Sequence, residues 1–292
     1  MTRNHAECAA YVIDSVRSLG LTPHSQSRLM RMYNAMCNPD GTPRPFIAVT
    51  DPNFQSALEA VRDMQLLEFV FEQLEDEPNQ AAIRPLVSAA LKDSVLPQAD
   101  MRRSRGRDTQ FELFVGALCR RARMYPVAHS EPDITCVHNG TAYGIAAKRV
   151  KSMSNLEKLV RKAGDQVLNS GLCGIVALDL SLALDRDNVR IDAPMSPTTF
   201  RDLYSADVDQ FVQKYQPRMQ EWVRGKGVRG VECHDHKVRH VQGGQWALES
   251  FTFAICTARD NQRRRREFHL FNSSYQGALP NVRRSIRPLW SP

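Results

Sequence analysis

The chain has 292 residues, 42% hydrophobic and 24% charged, enough to bury one or two cores without disulfides or a structural metal. Its 39 Lys plus Arg and 32 Asp plus Glu leave a net charge of +7, too mixed a pattern for a disordered polyelectrolyte or a coiled coil. No apolar run reaches the roughly 20 residues of a membrane span, and Arg3, His5 and Glu7 stand where a secretory signal would be apolar, so the expected location is the cytoplasm.

The charge is unevenly spread. Residues 1–100 hold 8 basic and 13 acidic residues, a balance of −5, whereas residues 101–292 hold 31 and 19, a balance of +12. Of the 39 basic residues 31 are Arg, whose planar fork matches phosphate geometry, and a nucleic-acid partner is the leading expectation. Arg102, Arg103, Arg105 and Arg107 form one basic cluster and Arg263, Arg264, Arg265 and Arg266 another, each suited to track a phosphate backbone. Seven scattered cysteines without a CxxC spacing read as reduced thiols rather than a zinc site.

In chain order, residues 6–19 follow an apolar period near 3.6 and predict a helix, and residues 54–74 predict a long amphipathic helix stopped by Pro78. Another helix is expected over residues 80–91, and the stretch 97–107, with its Pro, Gly, Ser and Arg, has a linker's composition. The domain boundary is therefore placed near residue 100, after an acidic helical region and before a basic domain over residues 101–292. Asp108 or Thr109 is suited to cap the next helix, whose Phe111, Phe114, Val115 and Leu118 recur at i, i+3, i+4 and i+7, with Glu112 beside that stripe. Strand segments follow at 126–128 and 134–137, then Asn139-Gly140, a two-residue hairpin signal, then a strand over 141–150. A helix over 154–169 carries Leu156, Leu159, Val160, Ala163 and Val167 on one face and leads to a buried strand at 174–180. A helix over 198–223 and strands over 228–241, 248–257 and 268–271 complete the pattern, with the second arginine cluster between the last two strands.

If Asn139-Gly140 is the centre of a two-residue turn, residue 133 opposes residue 146, with Cβ atoms about 5 Å apart. Residues two apart on a strand share a face, so Lys148 projects on the side of position 146, diagonal to Asp133. A carboxylate and an ammonium converge.

Glu112, then Glu131-Pro132-Asp133, then Ile145-Ala146-Ala147-Lys148-Arg149 resemble the PD-(D/E)XK nuclease superfamily, which has the restriction-endonuclease-like fold, in both spacing and element order. The resemblance implies an α/β core with a mixed central sheet flanked by helices, here preceded by the N-terminal helical region. It also implies hydrolysis of phosphodiester bonds, of DNA by expectation, with Mg²⁺ or Mn²⁺ as cofactor, in restriction, phage defence or repair. In that reading Asp133 and Glu112 hold the metal, since hard cations take oxygen ligands and polarise the phosphoryl oxygen. Lys148 places or activates the attacking water and adds positive charge where the transition state gains negative charge.

Ala146 stands where the pattern has an acid. Three readings remain open: an engineered Glu-to-Ala change, an acid that has migrated, or a natural nuclease-fold protein that binds nucleic acid or a protein partner without cutting. For a migrated acid, Glu157 lies about 100° from its helix's apolar centre and Asp165 about 180°, which favours Glu157, although Lys158 and Arg161 beside it also offer a plain surface ion pair. Gln166, about 80° off that centre, is placed to reach the site edge. Some members of the superfamily carry such a Gln with a Tyr four residues later, where Ser170 stands here. Arg149 and Lys151 join the basic track, and Cys233, His234, His236 and His240 read as exposed polar residues on a strand. The acidic region is a candidate surface for a protein partner, and a homodimer is compatible with the pairing of active sites in double-strand cutters.

Overall fold

The computed structural model describes residues 3–44, 51–75, 80–95, 105–184, 197–241, 245–258 and 261–280. Arg102 and Arg103 lie outside these described residues, as does the side chain of His240. Four helices come first, α1 (His5–Ser18), α2 (Arg28–Met36), α3 (Phe54–Glu72) and α4 (Gln80–Ala90), and α5 (Arg105–Arg121) follows. Then come β1 (Val127–Ala128), β2 (Ile134–His138), β3 (Thr141–Arg149), α6 (Leu156–Ser170), β4 (Cys173–Asp179), α7 (Ser181–Leu184), α8 (Pro197–Trp222), β5 (Val228–Val241), β6 (Gln245–Cys256) and α9 (Gln262–Gly277).

Among the described residues the strands form one mixed sheet in the order β1-β2-β3-β4-β5-β6. The first three make an antiparallel meander, β3, β4 and β5 run parallel, and β6 returns antiparallel. Parallel neighbours need crossovers, supplied by α6 and then by α7 with α8. This is the α/β architecture of a mixed sheet flanked by helices.

The hairpin between β2 and β3 is fixed by its turn. Asn139 (φ +49°) and Gly140 (φ +73°) are both left-handed, as a type I′ turn requires of its two central residues. That turn sets His138 opposite Thr141 and Ile134 opposite Ile145, the register anticipated from the sequence. Alternation along β3 then sends Ile145 into one apolar cluster with Phe111, Phe114 and Leu118 of α5, and Ala146 into another with Leu156, Val160 and Ala163 of α6. With helices on both faces, β4 is apolar on both sides, which is why its sequence reads as a continuous hydrophobic run.

The helical region shares the first of these clusters. Val12, Leu29, Met64 and Leu67 are buried together with Phe114 and Ile134. Buried polar bonds reinforce the join: the Arg28 guanidinium pairs with Asp63 and donates to Gln110 Oε1 at 2.7 Å and to the Ala90 carbonyl at 3.1 Å. Burial pushes the Asp63 carboxyl up, yet Arg28, Arg107 and Arg62 hold it well below the usual carboxylate range.

Several elements differ from the sequence-based expectation. Helix α2 was not anticipated; its buried Leu29, Met32 and Met36 are interspersed with polar residues, Arg31 and Asn34 among them, and Ser27 caps it by accepting the Met30 N–H at 3.3 Å. Helix α5 begins at Arg105, inside the expected linker. There the Arg107 N–H donates to Asp93 Oδ2 at 2.9 Å, and Gly106 lies so near α4 that a Cβ would stand 2.7 Å from the Lys92 carbonyl. Residues 268–271 belong to α9 and are not a strand: Phe268, Phe271 and Tyr275 form a buried helical stripe. The second arginine cluster accordingly opens α9 rather than linking two strands. Cys233, His234 and His236 are on a strand as expected but are buried, because α9 packs against β5 and the sheet is covered on both faces.

Burial on β5 creates a pH dependence. Glu232 is fully buried, and the Asn272 amide, oriented to donate, lies 2.9 Å and 3.1 Å from its two carboxyl oxygens. Desolvation pushes the Glu232 carboxyl up to about 8 and pushes His234 and His236 down to about 3 and 4. Above its ordinary pKa the unfolded chain releases the Glu232 proton while the fold retains it, so stability falls by about 1.4 kcal/mol per pH unit until the folded pKa is passed. The histidines act at the other end: below their ordinary pKa the unfolded chain gains protons that the fold excludes. Maximum stability is therefore expected near pH 6.5. Denaturant titrations of Glu232→Gln should show the alkaline fall between pH 6 and pH 8 largely removed and the acid fall retained; an unchanged alkaline limb would contradict a protonated Glu232.

Candidate active site

Asp133 enters β2 directly after Pro132, and its carboxylate reaches across to β3. Asp133 Oδ2 accepts the Ala147 N–H at 2.8 Å and Lys148 Nζ at 2.5 Å, while Nζ also donates to the Ala147 carbonyl at 3.0 Å. The hairpin register thus joins the two residues that the sequence set diagonal to each other. Close approach depends on Gly144, where a Cβ would stand 2.9 Å from Pro132 Cδ and 3.2 Å from Ser170 Oγ. The Ser170 hydroxyl donates to the Val167 carbonyl at 2.7 Å.

The pair is only partly withdrawn from water, with side-chain exposures of 21% for Asp133 and 14% for Lys148. Burial pushes the Asp133 carboxyl up, the Lys148 ammonium and the Ala147 amide draw it down, and Glu112 pushes it up again, leaving it above its ordinary value. Glu112, on α5, is therefore close enough to repel the Asp133 charge. Its Oε1 also lies 3.3 Å from His129 Nδ1. The His129 ring rests on α5 at Gly116, where a Cβ would come within 2.8 Å of Cε1. His129 was not anticipated, since no motif marks it.

Gln166 reaches the site edge as its wheel position allowed. Its Nε2 donates to the Pro132 carbonyl at 3.1 Å, bracing the segment that carries Asp133, and its buried Oε1 has no hydrogen-bond partner among the described residues. Ala146 is fully buried beside Val150, Val160 and Val176 and offers no oxygen.

Glu157 is engaged on the outer surface of α6. It lies nine residues before Gln166 on α6, about 13 Å along the helix axis, and its carboxylate pairs with Arg161 at 2.8 Å on the exposed surface. Asp165 pairs with Lys226 at 2.6 Å. Among the described residues no group of three or more His, Cys, Asp or Glu is placed to hold a metal ion.

The basic track is also revised. Arg107 is buried, pairing with Asp63 at 3.1 Å and donating to the carbonyls of Ser94 and Val95. The Arg149 side chain is only 6% exposed, with Nε donating to Asp179 Oδ2 at 2.9 Å. Both arginines are held by internal partners and are withdrawn from any polynucleotide surface. Arg105, Arg263, Arg264, Arg265 and Arg266 are exposed, the last four in the first turn of α9, and Lys151 is half-buried. Within that turn Arg263 pairs with Glu267 at 3.0 Å and Arg265 donates to the Ala258 carbonyl at 3.0 Å. No protein-family model matches the chain, and no curated protein is similar enough to stand as a relative.

Lys148→Met should raise the Asp133 pKa further, because it removes a neighbouring charge that favours the ionised form while leaving burial in place. A carboxyl-carbon NMR titration of Asp133 reads this directly; a fall in pKa would contradict the pairing.

Proposed function

We propose that the chain is a metal-dependent nuclease of the PD-(D/E)XK type, acting on phosphodiester bonds of DNA. The observation that carries this reading is the Asp133–Lys148 contact across the β2–β3 hairpin, with Glu112 within electrostatic reach and Gln166 bracing the Pro132 carbonyl. The order helix α5, antiparallel meander, crossover helix α6 and parallel strand β4 supports it as well, since it follows the restriction-endonuclease-like core.

The donor set suits Mg²⁺ held by two carboxylates. Asp133 and Glu112 are partly exposed and repel each other's charge, a condition that a cation relieves. Mg²⁺ commonly binds through one or two carboxylates with water and substrate phosphates completing its octahedron, and it would supply polarisation of the phosphoryl oxygen. The chain's own residues do the rest. Lys148 directs positive charge toward the phosphate, and the Ala147 N–H holds the Asp133 carboxylate in place. Gln166 fixes the backbone before it, and the exposed arginines at the start of α9 and at Arg105 attract the polyanion.

A second reading, binding without cutting, is favoured by one observation: Ala146 is fully buried in an apolar cluster directly opposite Asp133, so one acid of the pattern is missing. Cleavage of supercoiled plasmid, linear DNA and RNA in Mg²⁺ or Mn²⁺ separates the two. The nuclease reading expects cutting by the chain as it stands and a loss of about 100-fold or more in Asp133→Asn and Lys148→Met. Cutting by Ala146→Glu alone would place the site correctly in an inactive chain. Binding with a steep salt dependence but no cutting by either form would establish the second reading.

A further inference from the structure

Past the ends of β3 and β4 lies a small recess between the sheet and helices α3 and α5, lined by Leu66, Phe111 and Phe114 as well as by charged side chains. Arg149 and Asp179, the last residues of these two parallel strands, line it. Open α/β sheets take their ligands in the crevice beyond the carboxyl ends of parallel strands. Arg62, Asp63, Arg107 and His236 also line it, so its wall is charged as well as buried.

Hydrogen bonding in this wall is incomplete. Arg107 Nε, Arg149 Nη1 and His236 Nε2 are buried and have no hydrogen-bond partner among the described residues. Arg149 Nη1 has an ion-pair approach to Asp108 Oδ1, at 3.7 Å. A guanidinium has donors only and keeps its proton, so the two arginines present N–H groups that want acceptors. The arginines already have acids beside them, Glu59 and Asp63 for Arg62 and Arg107, and Asp108 and Asp179 for Arg149, so what the wall leaves open is hydrogen bonding rather than charge. Burial pushes Arg107 down to about 10, with Arg28 and Arg62 adding to the effect against Asp63 and Glu59, and it pushes His236 down to about 4. At neutral pH the imidazole is therefore uncharged, and the recess holds buried N–H donors that lack acceptors.

We propose that this recess binds a small oxyanion of the phosphate or carboxylate class, gripped by Arg107 and Arg149 with His236 completing the contact. Planar guanidinium forks are suited to bidentate recognition of such anions. The three side chains are almost wholly buried, which admits a small ligand and excludes a polynucleotide strand. Because Arg149 follows Lys148 on β3 and projects to the other face, the assignment does not rest on the nuclease reading. A bound anion would join α3 and α5 to the strand ends and so tighten the helical region onto the sheet.

The test uses the whole chain, with inorganic phosphate and acetate as separate probes, titrated calorimetrically against a chloride background of equal ionic strength. Saturable one-site binding by at least one probe is expected, with phosphate-dependent or acetate-dependent shifts of the Arg107 and Arg149 Nε–H resonances in the unaltered protein. Arg149→Lys retains the charge and loses the fork, and should weaken that binding about ten-fold or more. His236→Gln should weaken it as well, and the resonance shifts keep the test valid if either variant folds poorly. Duplex oligonucleotide should not displace the bound probe. Binding no stronger than chloride with unmoved arginine resonances would overturn the proposal and leave a recess filled with water. Displacement by duplex would also overturn it, by placing the anion site on a nucleic-acid surface.

Discussion

A two-residue turn whose central residues are both left-handed leaves β2 and β3 a single register, and Asp133 and Lys148 take their positions from it. Shifting the pairing by one residue would carry Lys148 to the α5 face and Arg149 to the α6 face. It would also break the bond from the Ala147 N–H to Asp133 and set Ile145 among the polar groups. Asn139 and Gly140 supply the left-handed pair, and Gly144 gives the Pro132–Asp133 segment room to lie against the strand. The turn, the glycine and the apolar alternation of β3 agree on one arrangement, and that agreement is what makes the hairpin a dependable platform for a carboxylate and an ammonium.

The second structural theme is a layer of buried charge between the helical region and the sheet. Arg28, Arg107 and Arg149 each pair with an acid from another element, Asp63 for the first two and Asp179 for the third. Breaking such a pair by removing one partner typically costs about 3–5 kcal/mol, because the other charge stays buried. These arginines therefore specify how the helices dock, and only part of the chain's arginine excess is left at the surface. Among the described residues, the basic track expected from the sequence keeps the exposed cluster that opens α9, Arg105 and the half-buried Lys151. The acidic balance of the first hundred residues is partly internal too, since Glu59 and Asp63 face arginines across the same layer.

Local patterns made much of this legible. The Asn139-Gly140 signal gave the register, the period of α6 gave its buried face, and the apolar run of β4 marked a strand covered on both sides. What stayed hidden depended on contacts distant in sequence. Arg107 looks solvated until Asp63 is brought beside it, and residues 268–271 read as a strand because a four-residue window cannot tell alternation from a helical stripe extended by Tyr275. The histidines of β5 alternate as on a half-exposed strand, and only the docking of α5, whose Phe114 meets both rings, and of α9, whose Tyr275 meets His234, shows that they are buried. His129 had no sequence signal, since its link to Glu112 exists only once β1 lies against α5. The pairing of Arg149 with Asp179 had a faint one, an acid ending an otherwise apolar strand.

The central claim is that Asp133, Glu112 and Lys148 form one site able to accept a divalent cation. Paramagnetic broadening by Mn²⁺ in the amide spectrum of the intact chain tests it without reference to cleavage. The account expects stoichiometric Mn²⁺ to broaden the Ala147, Asp133 and Glu112 amides selectively, and Asp133→Asn to abolish the effect. Broadening spread evenly over surface carboxylates, or centred away from the β2–β3 hairpin, would contradict it.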